Sequence, residues 1–276
     1  MTSPRTGYAF LDAVLDRPAA VLAFAHRGGA YHPEIEGLEN TLAAFEHAVA
    51  LGYDYLETDV HVTRDGVLLA FHDSVLDRVT DRKGEIVRLT YEEVRTAVIG
   101  GRAEIPTLAM LFDAFPTARF NIDIKSEGAV SCLADFLNAR EAWDRVLVGS
   151  FSRRRLQRFR RLVHRPVPTA ATAFEVALFR FLPSAWLADL LTRDFAAFQI
   201  PHRHGPLLVT TRGLIRRAHA VARHVHVWTI DDPAEMHELL DLGIDGLFTD
   251  RTDLLKDVLI ARGQWRDPGT ARGRHA

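Results

Sequence analysis

The chain has 276 residues, 47% hydrophobic and 25% charged, with a net charge of −2. That size suits one large domain or two small ones, and the composition is that of an ordinary soluble globular protein. The charge balance gives no whole-chain reason to expect nucleic acid, and the one cysteine, Cys132, excludes an internal disulfide and fits a reducing compartment.

Residues 1–20 read as a short leader with one helical turn around 10–15. The apolar run 19–25 is too short for a membrane span and carries no secretory signal, so the protein reads as cytoplasmic. Residues 20–25 form an apolar strand that stops at His26-Arg27-Gly28-Gly29, the pattern of a buried parallel strand whose C-terminal end carries function. A helix follows over 42–51, capped by Asn40 or Thr41. In the next stretch Leu56, Thr58, Val60 and Val62 alternate with Glu57, Asp59 and His61, which predicts a strand. Arg64-Asp65-Gly66 turns the chain, and a second apolar run, 67–71, ends on His72-Asp73.

Residues 74–106 are irregular and charged and read as an insertion with a short helix near 91–97. A helix over 107–115 precedes a strand at 119–125, with Asn121, Asp123 and Lys125 on one face. Helices are then expected at 129–140, 152–162, 174–191 (broken at Pro183), 211–222 and 233–242, and a last one follows Asp250, which can cap it. Pro233 suits a first helical turn and Gly243 a helix stop. Strands are expected at 146–151, 168–172, 197–201, 225–230 and 246–250, and residues 264–276 read as a basic tail. The alternation amounts to about eight βα units, which predicts a TIM (β/α)8 barrel rather than a doubly wound sheet.

In that fold His26, Glu57, Asp59, Asp123, Lys125 and Trp228 all fall at C-terminal strand ends, where barrels place their chemistry. Paired buried carboxylates need positive charge between them. An all-oxygen set of Glu57, Asp59 and Asp123 suits magnesium or calcium better than zinc. His26 and His72 titrate near neutrality and can move protons, while Arg27 and Lys125 can hold a phosphate. Together these residues suggest cleavage at a phosphate ester.

The ordered set Ala25-His26-Arg27-Gly28-Gly29, Glu39-Asn40-Thr41, Leu56-Glu57-Thr58-Asp59-Val60 and Phe71-His72-Asp73 resembles the glycerophosphodiester phosphodiesterase family. Ile122-Asp123-Ile124-Lys125, Ser150-Phe151, Val227-Trp228-Thr229 and Gly243-Ile244-Asp245-Gly246 leading to Thr249-Asp250 continue it, so it spans residues 22–255. The resemblance implies a barrel with an insertion after the second strand, His26 and His72 as the acid/base pair, and Mg²⁺ or Ca²⁺ on Glu57, Asp59 and Asp123. It implies phosphate contacts from Arg27 and Lys125, a supporting role for Glu39, and packing of Phe151 and Trp228 on substrate. The implied product is sn-glycerol 3-phosphate plus an alcohol. Two departures stand out: Asp123 where many members have Glu, and Arg251-Thr252 where Arg-Pro is frequent.

A lysophospholipase D-like activity on the same barrel and a non-catalytic binding barrel are the competing readings. His61 is expected in a rim or structural role, His226 lining the barrel, and His224 in deeper packing or hydrogen bonding. His202 and His204 lie in the sixth loop, within reach of substrate but without an expected catalytic role. The arginines at 153–155, 158, 160 and 161 read as a solvated helix face. Segment 174–191 carries more aromatic bulk than one buried stripe requires and is expected to form a lid or a membrane-facing patch.

Overall fold

Among the described residues, seven parallel strands curl into one sheet in the computed structural model. They are β1 (Leu22–His26), β2 (Tyr55–Val62), β3 (Arg119–Ile124), β4 (Val146–Gly149), β5 (Ala197–Pro201), β6 (His224–Trp228) and β7 (Gly246–Thr249), in the order β4-β3-β2-β1-β7-β6-β5. The structure describes residues 3–13, 15, 21–182, 184–192 and 194–265. Part of the expected leader and of the 19–25 run, the helix break at Pro183 and most of the basic tail lie outside those residues.

Residues 168–171 close the ring between β4 and β5. Val148 pairs with Thr169 and Ala170 with Ala197, both in parallel. The Ala170 amide donates to the Val148 carbonyl at 3.0 Å, and the Ala196 amide to the Thr169 carbonyl at 2.8 Å. The expected strand at 168–172 is therefore only two bridges long. Pro168 accepts from Val148 but has no N–H to return, which shortens the ladder there. With this segment the sheet is the expected eight-stranded barrel.

Alternation decides what each strand buries. Leu56, Val60, Phe120, Ile122 and Val148 point outward into the apolar layer shared with the helices, whereas Phe24, Tyr55, Leu147, Ala197 and Phe248 fill the interior. The interior is sealed at its N-terminal end by the turn Ala9–Asp12. Phe10 is fully buried there, edge-on to Tyr55 at 5.1 Å, and Tyr55 Oη–H donates to the Phe10 carbonyl at 2.7 Å. Burying that ring contributes roughly 1.5–3 kcal/mol, so the leader's helical turn is the plug of the barrel floor.

Helix entries follow local chemistry. Thr41, not Asn40, caps Leu42–Ala50, and Thr107, Ser152, Thr211 and Asp232 cap later helices by accepting from the amide three residues on. Pro233 sits in the first turn and Gly243 ends that helix at φ 90°. Asp250 does not cap the last helix: Arg251 occupies the cap, and its side chain makes no capping hydrogen bond. The arginine-rich helix is only partly a solvated face, because Arg155 donates to the Ile124 carbonyl and Arg160 to Thr169 Oγ1, tying the helix to strand ends. Segment 74–106 packs a small core of its own, with Leu76, Ile86, Val94, Ile99 and Ile105 against Leu69 and Phe71.

His224 and His226 are both fully buried. His224 Nε2–H donates to the Pro4 carbonyl at 2.9 Å, and the His226 ring lies 5.1 Å from Phe24. Burial above all, with His224 adding to it, pushes His226 down to about 3 from 6.5. Between those values the unfolded chain binds a proton that the folded barrel refuses, so this group costs stability as pH falls below 6.5. Going from neutral pH to about pH 5 should remove about 2 kcal/mol through this one site. Urea unfolding of a His226→Leu variant should show a correspondingly shallower loss over that range; an unchanged pH slope would reject the assignment.

Candidate active site

The turn after β1 delivers the first functional side chains. Arg27, Gly28 and Gly29 all have positive φ, and a Cβ on Gly28 would stand 2.7 Å from Ala44 Cβ, so only glycine allows the helix this close. The turn brings the Arg27 amide onto Glu57 Oε2 at 3.1 Å. Parallel register does the rest: His26 pairs with Glu57 across β1 and β2, and Asp59 with Asp123 across β2 and β3. Four polar side chains thus share the inner face at the C-terminal end of the barrel.

Glu57 and Asp59 are buried, and their protonation is set by neighbours. Burial first, then the Asp59 charge, pushes Glu57 up to about 7. Burial also works against Asp59, but Lys125 and then Arg27 outweigh it and hold Asp59 below the usual range. Lys125 Nζ bridges Asp59 Oδ1 at 2.9 Å and Asp123 Oδ2 at 2.7 Å. Arg27 Nε stands 3.3 Å from Asp59 Oδ2 as an ion pair, and Asn40 Nδ2–H donates to the same oxygen at 3.3 Å. Burial raises Asp123, and its other oxygen, Oδ1, is buried with no hydrogen-bond partner. Among the described residues no three carboxylates, imidazoles or thiols form a ready metal cage. The Lys125 ammonium occupies the space between two of the expected ligands.

Both expected acid/base histidines are gripped from behind. His26 Nδ1 lies 2.8 Å from Asp250 Oδ1, and its Nε2 points toward Glu57 at 3.8 Å. Burial lowers His26, yet Glu57 and Asp250 together outweigh it and leave the ring raised. His72 Nδ1 lies 2.6 Å from Asp73 Oδ1. Because a carboxylate can only accept, Nδ1 carries the hydrogen in each ring and Nε2 is left for the cavity. His61, expected in a rim or structural role, is a buried prop: its Nε2–H donates to the His72 carbonyl at 3.0 Å.

Glu39 is the centre of a clasp. Its two oxygens accept from Arg78 Nη1 and Nη2 at 2.8 and 2.6 Å, and Arg27 Nη1 approaches at 3.4 Å. Arg78 Nε–H also donates to Asp73 Oδ2 at 2.6 Å, the carboxylate that orients His72. Two loops, the one carrying Glu39 and the one carrying both His72 and Arg78, are thereby joined through one guanidinium.

These groups form one wall of a cavity of roughly 730 Å³. The opposite wall is mostly apolar, with Val176, Phe181, Leu207, Val209 and Leu214, and also carries Arg180. Phe151 and Trp228 meet edge-on at 6.1 Å between the two walls, with Lys125 Nζ 5.9 Å from the Phe151 centroid. His204 reaches the cavity, whereas His202 is buried against Glu235. All ten expected site residues lie around this end of the barrel; Glu39 alone does not line the cavity and reaches it through Arg27 and Arg78. Sequence reasoning missed Asp73, Arg78 and Asp250. Asp73 and Asp250 lie inside the family-like motifs Phe71-His72-Asp73 and Thr249-Asp250, but local pattern marks Asp250 only as a candidate helix cap. Arg78 had no local signal in a run of mixed charges.

The model of the glycerophosphoryl diester phosphodiesterase family matches residues 26–254. The chain belongs to that family. A probable glycerophosphodiester phosphodiesterase 2 of Mycobacterium tuberculosis is 42% identical over 247 residues, covering 88% of this chain and 92% of that protein. A mouse lysophospholipase D, GDPD1, is 29% identical over 272 residues, covering 85% of each chain. The structure of a phosphodiesterase from Oleispira antarctica in complex with the product sn-glycerol-3-phosphate superposes with a TM-score of 0.72 at 23% identity, covering 87% of this chain and 97% of that one. Membership in the glycerophosphodiester phosphodiesterase family makes the chain a phosphoric diester hydrolase on a TIM barrel.

The clasp has a measurable consequence. Arg78→Met removes three hydrogen bonds that fix the His72 and Glu39 loops and should lower glycerophosphodiester turnover about tenfold or more. Arg78→Lys, which keeps the charge but not the fork, should recover only part of it. Turnover of Arg78→Met equal to the parent would show that the loops hold without the clasp.

Proposed function

We propose that the protein hydrolyses glycerophosphodiesters to sn-glycerol 3-phosphate and an alcohol, with His26 and His72 moving the protons. The observation that carries this reading is the pair of imidazoles whose Nδ1 atoms are held by Asp250 and Asp73, with both rings lining the cavity beside Arg27 and Lys125. One histidine takes the proton of the attacking glycerol 2-hydroxyl or water. As the new phosphorus–oxygen bond forms, the bond from phosphorus to the leaving oxygen breaks and the other histidine protonates the departing alcohol. Attack by water gives sn-glycerol 3-phosphate directly, whereas attack by the 2-hydroxyl gives a 2,3-cyclic phosphate that a water then opens at the 2-oxygen. Arg27 and Lys125 neutralise the non-bridging oxygens, Trp228 and Phe151 pack against the glycerol, and Glu39 steadies Arg27. The product bound in the Oleispira relative supports this choice of substrate class.

The donor set fits a hard divalent cation, Mg²⁺ or Ca²⁺. Asp123 Oδ1 lacks a partner, and Glu57 is held near 7 beside Asp59, and both strains are relieved by positive charge among Glu57, Asp59 and Asp123. When bound, such an ion polarises phosphoryl oxygen and acidifies a coordinated hydroxyl. Asp123 reaches one methylene less than the Glu common in the family, which puts the more demanding ligation on β3. Chain organisation follows the same reading: one domain, cytoplasmic, with the 74–106 insertion delivering Arg78 to the site.

EDTA should abolish glycerol 3-phosphate release from glycerophosphocholine, and added Mg²⁺ or Ca²⁺ should restore it; full activity in EDTA would remove the metal. His26→Ala and His72→Ala should each lower turnover about 10³-fold with circular dichroism unchanged, and an active double variant would refute the proton-transfer roles. No release from any glycerophosphodiester by folded protein would leave the binding-barrel reading.

The apolar wall favours a second reading, activity on lysophospholipids, which the name of the mouse relative also supports. A headgroup phosphate on the polar wall would leave an acyl chain lying along Val176, Phe181 and Leu207. Val176→Arg should then reduce turnover of a long-chain lysophospholipid while sparing glycerophosphocholine; equal losses on both would dismiss the acyl site.

A further inference from the structure

The helices Ala173–Phe181 and Ala185–Leu191 leave a large apolar surface in water. Phe181 is 79% exposed and Trp186 69% exposed, and Phe174, Leu187, Leu190 and Leu191 are also exposed. In the second helix only Ala188 is buried among the described residues, while Trp186 and Leu190, and Leu187 and Leu191, stack four residues apart as one outward stripe. The hairpin of strands Arg203–His204 and Leu207–Leu208 adds exposed Leu207. Phe181 and Leu207 belong at once to this surface and to the cavity, so the surface is continuous with the mouth of the site.

The exposed charges that this face leaves without an ion pair are arginines. Arg180 and Arg203 are exposed and make no ion pair among the described residues. Arg153 lies over the Phe174 ring at 4.5 Å. The acids are occupied: Glu175 is buried in a capping box with Thr172 and pairs with Arg153, and Asp189 pairs with Arg223 at 2.7 Å. A second copy of this chain is a poor occupant, because a twofold contact through the stripe would bring Arg180 and Arg203 toward their own counterparts. Aromatic and leucine side chains interspersed with unpaired arginines match an anionic bilayer, where rings and aliphatic chains enter the acyl boundary and guanidinium groups meet headgroup phosphates.

We propose that this face docks on an anionic membrane surface and presents the cavity mouth to amphiphilic phosphodiesters lying in it. The substrate half of this statement rests on the phosphodiesterase reading; the docking half does not. No helix among the described residues is long and apolar enough to cross a membrane, so the contact is peripheral.

The full-length protein is tested by cosedimentation with phosphatidylcholine vesicles with and without phosphatidylglycerol. The parent should sediment with the anionic vesicles and much less with the neutral ones, and salt should weaken the binding. Trp186→Ser with Leu191→Ser, neither of which lines the cavity, should weaken vesicle binding about tenfold or more and leave turnover of water-soluble glycerophosphocholine unchanged. Absence of binding to both vesicle types would overturn the proposal, as would binding that ignores the double variant. Sedimentation velocity supplies the remaining check: a parent dimer that the double variant converts to monomer would assign the face to self-association instead. Failure of the phosphodiesterase reading would appear separately, as absent glycerophosphocholine turnover by a protein that still binds vesicles.

Discussion

Parallel register between β1, β2 and β3 is the constraint on which the rest of the site depends. It stacks His26 against Glu57 and Asp59 against Asp123 at the C-terminal mouth of the barrel. Three carboxylates brought together under burial repel one another and resist ionisation, and the neighbouring chemistry compensates that cost. Lys125 bridges two of them, Arg27 pairs with one, and the Arg27 amide reaches the third. What these contacts leave unmet is an unpartnered Asp123 oxygen and a Glu57 raised to about 7, both of which further positive charge or a hydrogen-bond donor would relieve.

The barrel makes this strain tolerable by being filled from one end and open at the other. Phe10, Phe24, Tyr55 and Phe248 pack the floor, so the strands are held rigidly below the carboxylates. Above them, His26 ends β1 and His72 stands on a loop, and each ring is tied back by a carboxylate: Asp250 for His26 and Asp73 for His72. Arg78 links the second of these ties to Glu39, so the position of one imidazole is coupled to the residue that contacts Arg27. A segment that looks like an insertion in the chain is therefore part of how the site keeps its shape.

The cavity joins two solvents. One wall is charged and hydrogen-bonding; the other is aliphatic and aromatic and continues onto the outer surface through Phe181 and Leu207. Beyond Phe181 the chain continues into the exposed stripe of Ala185–Leu191. Of the two helices, Ala173–Phe181 lines the site and Ala185–Leu191 carries the outward stripe.

Much of this was legible from residues alone, for a simple reason. Periodicity reports which face of an element is apolar, so β2, β3 and the helix Ala129–Arg140 could be placed closely, and polar residues at strand ends marked His26, Glu57, Asp59 and Asp123 as neighbours once a barrel was inferred. Composition also singled out 174–191 before its exposure was known. Pairings between side chains far apart in the chain were not legible, because periodicity carries no information about partners. Asp250 is 224 residues from the His26 ring it orients, and Arg78 is 39 residues from Glu39. Likewise, nothing in a local pattern says that Lys125 lies between Asp59 and Asp123, that His61 props a loop, or that 168–171 closes the ring with two bridges. The sequence by itself determined the elements, their faces and the chemical types gathered at one end of a barrel. Only the tertiary structure decided which charge meets which, since in a buried site that depends on distances of a few ångströms set by the packing of the whole fold.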